Sequence, residues 1–391
     1  MTRVETAEVL ALRYGLNPHQ RGASATATGG RLPFTVLNGH PSYLNLLDAL
    51  TAWQLVRDGR TALGRPVAAS FKHTSPNGVG IDVPLHDDEV TAYQAPAELS
   101  PIALAYVRAR GTDRVAAYGD FIALSDPADE SFAHAVRGEA TNGVLAPSFH
   151  PAALRELKRK RGGDLLVLAF DQDHEPPSTE VREIFGVSLR QERNSALVTR
   201  QSLAGVAGLP ADAVDDLLVA SLAARYAQSN AVCLAHRGQT VGIGTGQPSR
   251  IQATRLACER ADRWLLRQHP TVLGVRFPDR MSRHARDTAA SEFVCWEDLH
   301  AVARHRLIKE STRWLRPLND DERTSWLGRR AGLAMSSDGP FPFRDSLDAA
   351  ARHGVRFVAH PGGSRRDDET AAAAAEHGMT VVTFGRRLFQ H

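Results

Sequence analysis

The chain has 391 residues, 42% hydrophobic and 23% charged, the make-up of a globular protein of two or three domains and not of a disordered, fibrous or mini-protein chain. Its 47 basic and 44 acidic residues leave a surplus of only +3, so the pI near 8.9 gives no support to nucleic-acid binding. Cys233, Cys258 and Cys295 contain no C-x-x-C pair, which argues against a disulfide frame or a zinc site and fits a reducing cytoplasm, and no segment reaches the roughly 18 apolar residues of a membrane span.

The first segment of chemical character is Arg13-Tyr14-Gly15-Leu16-Asn17-Pro18-His19-Gln20, polar and turn-forming, which reads equally as a surface loop. Residues 67–71 (VAASF) read as a buried strand that runs straight into Lys72-His73-Thr74-Ser75-Pro76-Asn77-Gly78. Strand ends in parallel sheets are where ligands bind. Only four of the basic residues are lysines (Lys72, Lys158, Lys160 and Lys309), against 43 arginines. A lysine after such a strand suggests something arginine does not do, such as losing its proton or acting as a compact point charge. A Lys-His pair at a buried strand end suits acid–base chemistry, since burial and a neighbouring cation favour a neutral imidazole.

Tyr118-Gly119-Asp120 reads as a tight turn leading into a strand. Residues 154–161 look like an exposed helix, followed by the turn Gly162-Gly163-Asp164 and the apolar strand 165–170. Further on, Gln228-Ser229-Asn230-Ala231 precedes a strand at 240–243, the turn Gly244-Thr245-Gly246-Gln247-Pro248-Ser249 and a helix over 250–266. The turn lacks the lysine of a P-loop, yet helix N-terminal amides beside Arg250 make a seat for a phosphate or carboxylate. Glycine thins out between 268 and 330, where the text turns helical. Ser336 to Asp345 (SSDGPFPFRD) is a stiff aromatic loop with two carboxylates, fit to line a flat heterocycle or to pack on a surface. Residues 355–359 (strand), His360-Pro361-Gly362-Gly363-Ser364 (turn), a helix opening on Asp367-Asp368-Glu369, the stop Gly378 and the strand 379–384 form a β-α-β unit, which implies a parallel sheet. A strand running almost directly to His391 suggests that the last residue is used.

Taken together, RYGLNPHQ, LNGHPSYLNLLDALTAWQLV, SFKHTSPNGVG, YGDFIALSD, QSNAVC, GIGTGQPSRI, SSDGPFPFRD, HPGGS and RRLFQH resemble, in order and over nearly the whole chain, the 5-aminoimidazole-4-carboxamide ribonucleotide (AICAR) transformylase part of the bifunctional purine-biosynthesis proteins. The resemblance implies an α/β fold of two related halves similar to cytidine deaminase without its zinc: residues 1–190, then 191–267 with 331–391, with a small helical insert at 268–330. It implies a cytoplasmic homodimer with active sites at the subunit interface and no nucleic-acid or membrane partner. The implied reaction moves a formyl group from the cosubstrate 10-formyltetrahydrofolate to the 5-amino group of AICAR. That amine is a poor nucleophile, so the site needs a base, oxyanion stabilisation and an acid for folate N10.

Carried over residue by residue, the resemblance makes Lys72, His73 and His391 catalytic: His73 a proton shuttle, Lys72 a charge stabiliser or acid, His391 an aid at the carboxamide. It places Arg13, Tyr14, Gly119, Asn142, Asn230, Arg250 and Arg387 around the nucleotide, with the arginines on the phosphate, and Ile251, Pro342, Phe343 and Asp345 around the folate. No metal ligand is implied, though a monovalent cation accompanies some members of the family. Three departures stand out. Only twelve residues precede Arg13, where bifunctional members carry a cyclohydrolase domain, so ring closure to inosinate is expected of a separate protein. Pro340 stands where the family has an aromatic, and Asn142 where it has an acid. These changes leave open a relative that formylates a different amine, or a non-catalytic nucleotide-binding homologue. A hydrolytic deaminase would need the absent zinc ligands.

Overall fold

The structure is a computed structural model that describes residues 8–28, 30–204, 206, 208–329 and 332–390. Its strands are β1 (Val9–Ala11), β2 (Ser24–Thr26), β3 (Phe34–Asn38), β4 (Val67–Lys72), β5 (Ser75–Ile81), β6 (Asp120–Leu124), β7 (Thr141–Ala146), β8 (Leu166–Phe170), β9 (Thr179–Ile184), β10 (Val187–Glu192), β11 (Val232–His236), β12 (Gln239–Gly244), β13 (Leu333–Ser337), β14 (Val355–His360) and β15 (Thr380–Thr383). Eleven of them make one sheet in the order β15-β14-β13-β11-β12-β5-β4-β6-β7-β8-β3. The fold class is α/β, as the alternation of apolar strands and helices requires.

The order contains a repeat. Helix Tyr43–Leu63, hairpin β4–β5, helix Pro101–Gly111, then β6, β7 and β8 with helices between them build the ladder β5-β4-β6-β7-β8. Helix Ala211–Tyr226, hairpin β11–β12, helix Arg250–Leu266, then β13, β14 and β15 build β12-β11-β13-β14-β15. In each half the hairpin and the next strand are antiparallel and the last three strands parallel. The parallel sheet expected from the C-terminal β-α-β unit is therefore a mixed one. β4, which ends on Lys72, is antiparallel to both neighbours, so Lys72 lies at a hairpin and not at a parallel strand end. In the sheet the halves pair through β5 and β12 at one ladder rung, Gln239 opposite Gly80, with the Ile81 amide donating to the Gly238 carbonyl beside it at 2.8 Å.

Helices Tyr43–Leu63 and Ala211–Tyr226 cover one face of the sheet over a common core that includes Leu55, Val56, Phe71, Leu218 and Leu222. Each such side chain, fully buried, contributes about 1.5–3 kcal/mol. The other face carries two separate cores, one per half. There the second hairpin strand presses on its helix so closely that only glycine fits: a Cβ on Gly78 would stand 1.9 Å from the Ala109 carbonyl oxygen, and one on Gly242 2.0 Å from that of Ala257. Helix Tyr43–Leu63 starts at a Ser42 capping box closed by Asn45, and helix Arg250–Leu266 at a Ser249 cap.

Between Leu266 and β13 stand helices Pro270–Gly274, Arg283–Val294, Ala301–Glu310 and Asp320–Leu327, which gather around Val272, Phe293, Val294 and Leu307. Residues 154–161 are a short helix, Pro151–Leu157, followed by a 3₁₀ turn. No helix among the described residues is long and apolar enough to cross a membrane.

Candidate active site

His73 and Thr74 are the two central residues of the β4–β5 turn, between the paired Lys72 and Ser75. Both are left-handed, with φ of 53° and 61°, the conformation that matches the twist of a two-residue hairpin but that glycine and asparagine normally supply. Each non-glycine residue held there costs about 1–2 kcal/mol. The buried Asp48, from helix Tyr43–Leu63, accepts a hydrogen bond from the Thr74 amide at 2.6 Å. His73 is exposed, so the burial expected of it is absent. Lys72 donates to the carbonyls of Tyr118 at 2.8 Å and Ala116 at 3.3 Å, which ties the turn to the loop bearing Gly119.

Beneath this loop lies a buried charge network. Ser70 donates to Asp120 at 2.6 Å, and Arg110 bridges Asp120 and Glu139 at 2.9 and 3.1 Å. Arg114 continues the chain from Glu139 to Asp287 of helix Arg283–Val294, with both contacts at 2.9 Å. Burial alone would raise the Glu139 carboxyl, but the guanidiniums of Arg114 and Arg110 hold it down at about 2. Helix Arg283–Val294 is thereby fastened to the strand under the turn. Its His284 also lies against the Tyr118 ring, with centroids 4.1 Å apart. Gly119 has φ of 74°, and its carbonyl accepts from Asn142 Nδ2 at 2.7 Å, while Asn142 Oδ1 accepts from Arg161.

A second group forms where β11 begins and β13 ends. Asn230 donates its backbone and side-chain N–H groups to the Gln247 carbonyl at 3.2 and 2.8 Å, stitching the QSN segment to the glycine turn. Arg250 is only 7% exposed and reaches inward to the Ala231 carbonyl at 3.0 Å and to Asp338. One of the two carboxylates of the aromatic loop is therefore engaged inside the fold. The Asp338 carbonyl accepts from the Leu388 amide at 2.9 Å, and its Oδ2 is buried without a hydrogen-bond partner. Arg387 lies over the Phe389 ring at 5.8 Å.

The remaining residues are more dispersed. Arg13 covers the Tyr14 ring at 4.9 Å, and the Tyr14 carbonyl accepts from Tyr43 at the start of the helix that carries Asp48. Ile251 follows Arg250 in its helix. Phe343 is 49% exposed under Arg366, next to the exposed Pro342, and Asp345 is the first residue of helix Asp345–Ala351. His391 lies outside the described residues. Gln390 borders a cleft of about 860 Å³ lined also by Trp53, Arg57, Arg193, Asn194 and Tyr226.

The ladder registers put Lys72 and Asp120 at the same end of the sheet as Gly244, Val232 and Ser337. Among the described residues no hydrogen bond or ion pair joins the Lys72 group to the Arg250 group, and no three His, Cys, Asp or Glu side chains gather as a metal-binding cluster. The model of the AICARFT/IMPCHase bienzyme family matches residues 1–260. The chain belongs to that family. It is thus an AICAR transformylase-type chain, and the matched span holds Lys72, His73, Gly119, Asn142, Asn230 and Arg250. Membership makes it an enzyme-family member of purine biosynthesis, on the formyltransferase or cyclohydrolase side. In this AICARFT/IMPCHase chain the sequence reading missed Asp48, Arg161 and the network from Ser70 to Asp287. Asp48 alone had a visible signal, as a lone acid in the apolar run LNLLDAL.

Proposed function

We propose that the chain transfers a formyl group from 10-formyltetrahydrofolate to the 5-amino group of AICAR, giving formyl-AICAR and tetrahydrofolate. The observation that carries this reading is the Lys72-His73 turn: an exposed imidazole beside an ammonium fixed by two carbonyls. An ammonium has three N–H donors. With two engaged, Lys72 has one left for the oxyanion of the tetrahedral intermediate, which favours the charge-stabilising role. His73 takes the proton of the attacking amine and returns one to folate N10.

In this reading Arg13, Tyr14, Gly119, Asn142, Asn230, Arg250 and Arg387 surround the nucleotide. Ile251, Pro342, Phe343 and Asp345 surround the folate, and His391 acts at the carboxamide. Arg13 and Arg387 are exposed and suit the phosphate directly, whereas Arg250, engaged with Asp338, suits it through the ordering of Ala231 and the C-terminal segment. A monovalent cation would find a hard oxygen donor in Asp338 Oδ2. The cytoplasmic homodimer belongs to the same proposal. The homodimer is supported by hairpin β9–β10, which exposes Ile184, Val187 and Leu189 on one face and Phe185 at its turn, a surface suited to a second copy.

The test is a folate-coupled absorbance assay with AICAR and 10-formyltetrahydrofolate, with inosinate followed separately. Formyl-AICAR and tetrahydrofolate are expected in equal amounts, and no absorbance change with active folate sinks the assignment. A second reading, formyl transfer to a different amine, draws on Asn142, a neutral amide paired with Arg161. Turnover of another aminoimidazole in preference to AICAR would decide for it.

A further inference from the structure

The structural repeat sets the Lys72-His73 turn against an internal counterpart. In the first half, hairpin β4–β5 turns through His73 and Thr74, with φ of 53° and 61°; in the second, hairpin β11–β12 turns through Arg237 and Gly238, with φ of 52° and 77°. Each turn rests on a buried aspartate that is the sixth residue of the preceding helix: Asp48 in Tyr43–Leu63 and Asp216 in Ala211–Tyr226. Asp216 accepts from the amides of Arg237 and Gly238 at 2.9 and 2.6 Å. Asp48 accepts from the amide of Thr74, the residue after His73, at 2.6 Å.

The two turns differ in what they carry. The second has glycine at the position where a left-handed backbone is free of strain, and its Arg237 side chain is engaged with Glu89 at 3.5 Å, at the opposite end of the sheet from Lys72. The first has threonine there and an exposed imidazole beside it. The first turn therefore depends more on its aspartate, because a β-branched residue in the left-handed region opposes the conformation the turn requires.

We infer that Asp48 is a positioning residue for His73: its carboxylate holds His73 and Thr74 left-handed and so fixes where the imidazole stands relative to the Lys72 ammonium. The inference rests on the formyl-transfer reading for its catalytic meaning, since the imidazole must meet the amine at a fixed distance. A displacement of about 1 Å is enough to lower a rate by about 10²-fold.

Asp48→Ala lowers kcat by about tenfold or more and leaves KM for both substrates within about threefold, the pattern of a lost transition-state geometry. Thr74→Gly in the same chain, which copies Gly238, restores most of that loss. Asp216→Ala is the control: it too lowers the melting temperature, but its kcat per folded enzyme stays within about twofold of the parent. Where Asp48→Ala does not fold, Asp48→Asn, which keeps one acceptor without the charge, gives an intermediate kcat loss that Thr74→Gly again relieves. Amide exchange at residue 74, followed in all variants, reads the turn without turnover. It accelerates when Asp48 is replaced and not when Asp216 is. An unchanged kcat in Asp48→Ala, equal kcat losses for Asp48 and Asp216, or no relief by Thr74→Gly overturns the inference. If the parent transfers no formyl group, the functional reading fails, and the Thr74 exchange still decides whether Asp48 holds the turn: unchanged exchange in Asp48→Ala rejects it.

Discussion

Lys72 donates to the Tyr118 carbonyl at 2.8 Å, which joins the hairpin turn to the loop bearing Gly119. A guanidinium is planar and longer, and cannot place a single N–H where this ammonium does. Lys72→Arg and His73→Ala should therefore each lower formyl transfer by at least about 10²-fold, measured in the folate-coupled assay. Parent-like turnover in Lys72→Arg would reduce the lysine to a mere positive charge.

Arg161→Ala removes the donor that orients Asn142, which in turn holds the Gly119 carbonyl. Neither contact is made by Lys72 or His73 themselves, so the loss should appear first in substrate binding. KM for the nucleotide should rise by about threefold to tenfold with kcat little changed, and steady-state kinetics at saturating folate will show it. A fall in kcat alone would contradict a binding role for Asn142.

Two groups, His236 and Glu139, should withdraw stability on acidification in separable windows, against the buried Asp216, whose carboxyl burial raises to about 7 and which adds stability as pH falls from there. His236, half-buried and edge-on to Trp264, is held down at about 4 by desolvation and by the neighbouring Arg237, against 6.5 when free. The unfolded chain binds that proton first, so stability is present above about pH 6.5 and is lost as pH falls toward 4. Glu139, held at about 2 against 4.5 when free, contributes stability above about pH 4.5 that is lost as pH falls toward 2, worth about 3 kcal/mol in all. Urea midpoints as a function of pH should lose the upper slope in His236→Gln and the lower slope in Glu139→Gln.

Gly242→Ala should be among the most damaging small substitutions in the chain. The added carbon would stand 2.0 Å from the backbone carbonyl of Ala257, where no side chain can step aside, and overpacking of this kind costs about 3 kcal/mol or more. A urea midpoint close to the parent's would show that the helix can move off the strand.

Local text predicted local structure well. The helix starting at Arg250 follows from a serine cap after a proline turn, and the C-terminal β-α-β unit from a glycine turn, an acidic first turn and a glycine stop. Strand direction was not legible, because a central strand buried on both faces reads as the same apolar run whether its neighbours are parallel or antiparallel. The site was legible only in part for a similar reason. Arg250 reads as a free cation until Asp338, 88 residues further on, is brought beside it. Nothing near His73 in the chain announces that Asp48 stands under its turn. Long-range pairing decides both.

The face covered by helices Tyr43–Leu63 and Ala211–Tyr226 has a consequence for how the molecule comes apart. The halves look like two copies of one unit paired in the sheet at one ladder rung, yet on that face they share one hydrophobic interior. Cutting the chain between them would strip each fragment of half its covering and leave a wide oily surface in water. The two repeats are separable on paper but inseparable in free energy, and neither half should persist as a folded species once the other has melted.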